Sequence, residues 1–220
     1  MKDIFLIKES LNNYSDEEEI ALLQLFWMIN NLRSWISTIN NLGKVKQVYT
    51  CDVFDVYYIL SSIFYEVHKT FFRDVYPKLK KKNSNIELSN RINEWEQIWT
   101  KYREDKLDVK YQIIDVLRNS IAFHFKSDFI KEIYTPGKNT EDIQIGFTIT
   151  GNTGDTRYTN VMNYILTKII KLLDNKIDEN VILKYFKNEI LFALIDKRCS
   201  LLEELVSELI GNNIYLKPDH

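Results

Sequence analysis

Apolar residues recur at helical spacing along most of the chain. The most regular run is Val53, Val56, Tyr57, Leu60, Phe64, Val67 and Phe71, in steps of three and four, with Thr50 ahead of it as a cap. Before it, Ile20, Leu22, Leu23, Leu25, Phe26, Trp27, Ile29, Leu32, Ile36 and Ile39 form a stripe too broad for one contact face, which predicts a helix packed on two neighbours. Ser15 and Glu18 have capping-box spacing, Asp16 to Glu19 place negative charge at the positive end of the helix dipole, and Gly43 ends the element. Pro77 lacks the amide hydrogen that a helix interior needs, so the second helix is expected to stop or kink near Val75.

Ser84 with Glu87 predicts the start of a third helix, whose face carries Leu88, Ile92, Trp95, Trp99 and Tyr102. Arg103 to Lys106 then reads as the turn into a fourth. Past His124 the helical pattern weakens: a short helix is expected from Ser127 to Tyr134, then a turn at Thr135-Pro136-Gly137. Ile143, Ile145, Phe147 and Ile149 alternate at strand period, Gly151 to Asp155 reads as a hairpin loop, and Arg157 to Thr159 as the return. Three helices close the chain. The first runs through Val161, Ile165, Ile169 and Leu172, and the second from near Asp178 through Ile182, Tyr185, Phe186, Ile190 and Phe192. The third starts at a Ser200/Glu203 capping box and runs through Leu202, Leu205, Val206 and Leu209 to Gly211, with a loose tail to His220. The expected fold is mostly α: one domain over residues 1–220, a multi-helix up-and-down bundle with one small β-hairpin insertion at about residues 143–159.

Composition agrees. With 220 residues and 45% hydrophobic content the chain can bury a full core, and Gly 6 and Pro 3 favour long helices over a turn-rich sandwich. A formal net charge of −2 removes any global attraction for polyanions, so a nucleic-acid site has to be local. The strongest basic cluster, Lys78, Lys80, Lys81 and Lys82, reads first as a solvated helix end. Cys51 and Cys199 make neither a disulfide framework nor a metal knuckle, and His68, His124 and His220 have no zinc spacing. No secretory signal or membrane span is visible, which predicts a soluble, cytoplasmic protein.

The segment Leu117-Arg118-Asn119-Ser120-Ile121-Ala122-Phe123-His124-Phe125 carries the candidate chemistry. Tyr111, Ile114, Ile121 and Phe125 make an apolar stripe, and Arg118 falls inside it where an apolar residue is expected. Positions six apart on an ideal helix are rotated by about 240° and separated by roughly 9 Å, so Arg118 and His124 from one copy aim poorly at one atom. Two copies across a two-fold axis bring both pairs to a common cleft.

An Arg followed by a polar residue, with a His after a short gap, resembles the motif of the HEPN domain superfamily; Arg118-Asn119 and His124 fit it. The resemblance closely covers about a dozen residues near the end of a helix. It implies an α-helical bundle and a metal-independent endoribonuclease acting as a homodimer, in a toxin–antitoxin, abortive-infection or other anti-phage setting. No cofactor or metal is implied. His124, with an unperturbed pKa near 6.5, suits proton transfer to or from the 2′-OH or the leaving oxygen. Arg118 offers planar donors to the phosphate, and Asn119 to the phosphate or to His124. The implied product is a 2′,3′-cyclic phosphate. The implied partners are RNA, a second copy, and an antitoxin or regulatory protein.

From the residues alone other readings stay open. Arg118 pairs with Asp115 one turn back or with a carboxylate from another helix, and His124 is a satisfied helix-end histidine. Alternatively, the chain is a non-catalytic HEPN-like module that binds a nucleotide or a protein. Trp95 and Trp99 read as core, and Gly151 to Asp155 lacks the spacing and the Lys of a phosphate-binding loop.

Overall fold

A computed structural model of the protein describes residues 4–6, 11, 13–42, 50–105, 108–118, 147–150, 155–158, 185–210 and 214–216. The chain is mostly helical. Helix α1 (Asp16–Leu42) starts at the expected capping box: the Ser15 amide donates to Glu18 Oε2 at 2.8 Å and the Glu18 amide to Ser15 Oγ at 3.4 Å. These bonds, first among them the one from the Ser15 amide, hold the Glu18 carboxyl below its usual range. Helix α2 (Thr50–Thr70) runs into a π turn, Phe71–Val75, and then the short α3 (Tyr76–Leu79). Pro77 cannot donate to the preceding turn, and the wider turn ends with the Tyr76 amide bonded to Phe71 O. The regular α-helix thus gives way close to where the sequence expects it to stop or kink.

Helix α4 (Ile86–Asp105) buries Leu88, Ile92, Trp95, Trp99 and Tyr102 along one face, as their spacing predicts. Its cap differs from expectation. Asn85 Oδ1 accepts from the Leu88 amide at 3.0 Å, whereas the Ser84 hydroxyl donates to Glu208 at 2.7 Å. The turn also comes later, because Arg103 to Asp105 are still helical, and α5 (Val109–Val116) begins after Asp108, whose side chain accepts from the Tyr111 amide.

At the far end, a π-helical stretch (Phe186–Asp196) leads directly into α6 (Lys197–Ile210). Ser200 and Glu203 therefore lie inside a helix and cap nothing. They serve Arg33 instead: its Nε and Nη2 donate to Glu203 at 2.5 Å, Nη2 to Ser200 Oγ at 3.0 Å, and Nη1 to Asp196. This clamp ties α1 to the end of the chain. Two short antiparallel pairs complete the described elements: β1 (Ile4–Leu6) with β4 (Ile214–Leu216), in the tail expected to be loose, and β2 (Phe147–Thr150) with β3 (Asp155–Tyr158). Most of the span 119–184, including the expected helices there, lies outside the described residues.

Helix α1 packs on both α2 and α6, as the width of its stripe predicts. Ala21, Leu22, Leu25, Met28 and Leu32 are buried, but Ile20, Leu23 and Trp27 are 55%, 52% and 66% exposed. Part of the stripe is thus surface. Phe192, expected on an apolar face, is also exposed. No helix among the described residues is long and apolar enough to cross a membrane.

Candidate functional site

Helix α5 is pinned by burial. Tyr111, Ile113, Ile114 and Leu117 are all sealed from solvent, and the helix packs on α2. The helical path continues to Arg118, whose side chain is 25% exposed. Its Nη2 donates to Glu66 Oε1 on α2, and its guanidinium carbon stands 4.3 Å from the centre of the Tyr65 ring. A carboxylate from another helix therefore takes Arg118, one of the pairings the sequence leaves open. Asp115 accepts the Tyr102 hydroxyl at 2.8 Å; burial first, and then this bond, raise the Tyr102 pKa.

Glu66 has a second neighbour. It lines a groove of about 400 Å³ between α1 and α2, walled by Met28, Ile59, Ile63 and Val67, with the exposed indole of Trp27 at its edge. Arg118 is thus one carboxylate away from a concave, mostly apolar cavity that Glu66 lines. Concave apolar sites with a few polar groups are where ligands bind. Asn119 and His124 lie outside the described residues, so of the three residues in the motif Arg118 alone is placed.

Sequence reasoning missed a buried histidine. His68 has no exposed surface and is enclosed by the rings of Phe64, Phe72, Trp95, Trp99 and Tyr111, with centroids 4.0 to 5.8 Å away. The Trp95 indole N–H donates to His68 Nδ1 at 3.2 Å and to the Tyr111 hydroxyl at 3.0 Å. An accepting Nδ1 places the neutral ring's proton on Nε2. Burial, and next the Arg198 guanidinium, hold the His68 pKa well below its ordinary value. His68 is a neutral core group. The only sequence signal was a lone His on an apolar helix, which names no role.

The remaining candidates resolve simply. Lys82 of the basic cluster donates to Asn13 O at 2.7 Å and lies over the Tyr14 ring, so it fastens the start of α1. Burial pushes the Cys199 thiol up to about 12, which keeps it from acting as a nucleophile. Trp95 and Trp99 are core, as expected. No group of three or more potential metal ligands occurs among the described residues. Comparison with family models, with curated proteins and with solved structures found no match to this chain.

Proposed function

We propose that the protein is a HEPN-like, metal-independent endoribonuclease that cleaves single-stranded or loop RNA by attack of the 2′-OH on the adjacent phosphate. The reading takes the chain as one cytoplasmic domain, an up-and-down bundle with a hairpin insertion at about residues 143–159. It works as a homodimer in a defence or toxin–antitoxin setting, with an antitoxin or regulatory protein as a further partner. The observation that carries it is the position of Arg118. An arginine serving only the core would be enclosed; this one is partly exposed, stacked on Tyr65 and paired with Glu66, a carboxylate that lines the groove. Its planar donors suit a phosphate that competes with Glu66 for them. His124 supplies proton transfer and Asn119 orientation, on the resemblance of the segment to the HEPN motif.

The ion pair to Glu66 also favours a second reading, a non-catalytic module in which Arg118 is structural and a nucleotide or protein binds nearby. One experiment separates them. Purified protein incubated with single-stranded RNA in EDTA is expected to release fragments ending in 2′,3′-cyclic phosphate. Arg118→Ala and His124→Ala are each expected to abolish cleavage while circular dichroism shows an unchanged fold. Cleavage that persists in both variants, or that the chelator removes, excludes the mechanism.

A further inference from the structure

The basic cluster at the end of α3 belongs to a longer pattern. Tyr65 and Glu66, which touch Arg118, are followed on α2 by Lys69, and Lys69 by Arg73. Residues three and four apart on a helix share a face, with Cβ atoms roughly 5–6 Å apart. The chain then passes through the π turn into α3, and Lys80 and Lys81 follow on the outer surface. Val67, His68, Phe71, Val75 and Leu79 turn inward along the same span, which leaves Lys69, Arg73, Lys80 and Lys81 exposed.

Electrostatics link the members of this ridge. Asp74 first, and more weakly Glu66 two turns back, hold the Arg73 guanidinium above its ordinary pKa. Arg73 in turn, and Lys78 after it, hold the Asp74 carboxyl below its usual range. From Glu66 to Lys81, at about 1.5 Å per residue, the ridge runs roughly 20 Å. Lys82, turned to Asn13 O and Glu18, stands outside it.

A helix end accounts for only part of the line. Lys80 and Lys81 follow the last turn of α3, where the dipole favours cations. Helix α2, however, runs on through the π turn, so Lys69 and Arg73 serve no helix terminus. In a chain of formal net charge −2, this ridge is the local patch that a polyanion requires. A bilayer is the poorer match. The large apolar residues exposed among the described residues include none between Glu66 and Lys81, and a helix lying on a membrane needs them to enter the headgroup boundary. An extended strand of phosphodiesters matches both the linear form and the sign.

We propose that the ridge from Lys69 through Arg73 to Lys80 and Lys81 is a track for the sugar–phosphate backbone of single-stranded RNA, leading to Arg118. The inference rests on the nuclease reading for the identity of the polyanion, and it adds where the rest of the strand lies. Contacts along such a track go to phosphates, so they supply affinity and register without reading bases.

The test uses the full-length protein and a fluorescein-labelled 2′-O-methyl oligouridine, whose blocked 2′ oxygen prevents cleavage. Anisotropy titrations run between about 50 and 200 mM salt. Each phosphate neutralised on a single strand adds about 0.7 to the slope of log Kd against log salt. Lys69→Gln/Arg73→Gln and Lys80→Gln/Lys81→Gln are each expected to lower that slope by about 1 to 1.5, and together by about twice as much. At about 50 mM salt each pair is expected to raise Kd about tenfold. Lys187→Gln/Lys197→Gln removes as much charge from exposed positions on other elements and is expected to leave Kd within about twofold. Melting curves monitor the fold. An unchanged slope in either ridge pair, an equal loss in the Lys187/Lys197 control, or no binding at all overturns the proposal. So does ridge-dependent binding to phosphatidylserine vesicles with RNA binding unchanged, which assigns the face to a membrane. RNA cleavage that requires Arg118 and His124, with both ridge pairs binding as wild type does, sinks the track and leaves the nuclease standing. Ridge-dependent RNA binding with no cleavage by the wild-type protein upholds the track and sinks the nuclease.

Discussion

Glu66 and His68 stand two residues apart on α2 and meet opposite surroundings. A two-residue step turns a helix by about 200°, so one side chain reaches the rim while the other enters the core. His68 is closed in by aromatic rings and held neutral; Glu66 is half exposed and grips an arginine at the edge of a groove. Helix α5 makes the same division along its length, with Tyr111 in the cage and Arg118 on the rim. The difference teaches where a bundle of this kind can hold chemistry. Ionising a caged group works against its desolvation, while a rim group needs only to exchange one partner for another.

The largest test of that division is removal of the cage's centre. Trp95 is fully buried and donates to both His68 and Tyr111. Trp95→Ala is expected to cost about 3–5 kcal/mol in urea unfolding, from lost burial and the cavity left behind. A loss under about 1 kcal/mol would mean that the rings do not form one packed unit.

Acid probes the same cage more gently. The unfolded His68 titrates near 6.5, and the folded ring titrates well below that, through burial first and Arg198 second. Between the two values the unfolded chain holds the extra proton, so this contribution to stability is complete above about pH 6.5 and declines as pH falls. Among the described residues, the Trp95 indole on α4, the Tyr111 hydroxyl on α5 and the Arg198 guanidinium on α6 are the polar groups at this cage. The limiting slope is about 1.4 kcal/mol per pH unit while the folded ring stays neutral. His68→Phe keeps an aromatic filler and is expected to flatten unfolding free energy over that window. An unchanged slope in the variant assigns the acid sensitivity elsewhere.

Much of the fold was legible because it is local. The α4 stripe, the Ser15–Glu18 box and the break before Pro77 each depend on residues within a turn or two, where geometry fixes who meets whom. What failed is non-local. Ser200 and Glu203 carry capping-box spacing, but Arg33, far away in sequence, turns that spacing to a clamp inside a continuous helix. Ile20, Leu23 and Trp27 read as core because hydrophobicity does not reveal which flank of α1 lacks a neighbour. Arg118 stood out as a charge in an apolar stripe, yet its partner Glu66, 52 residues earlier, was one carboxylate among many. His68 gave no sign, since its cage draws rings from α2, α4 and α5 together.

A smaller effect comes from another arginine with carboxylate partners. Arg33 bridges Asp196, Ser200 and Glu203 and joins α1 to the end of the chain. Its side chain is 36% exposed, so solvent screens part of the interaction. Arg33→Ala is expected to lower unfolding free energy by about 1–2 kcal/mol, with the difference shrinking in 0.5 M salt. RNA cleavage is expected to stay near the wild-type rate, because the clamp lies on the opposite side of α1's packing from the rim.

The smallest change in stability belongs to Arg118, and it decides the comparison. The partly exposed pair with Glu66 contributes about 1 kcal/mol or less, and the stacking on Tyr65 adds little more at such exposure. Arg118→Ala is therefore expected to melt within a few degrees of wild type while RNA cleavage falls about 100-fold or more. Arg118→Lys keeps the charge but loses the flat fork, so it is expected to recover stability and only part of the activity. The opposite pattern, a destabilisation above about 2 kcal/mol with no effect on cleavage, would place Arg118 beside His68 as a structural group. A core role and a site role make different demands on the same guanidinium: the first requires that Glu66 never lets go, the second that it does so whenever a phosphate arrives.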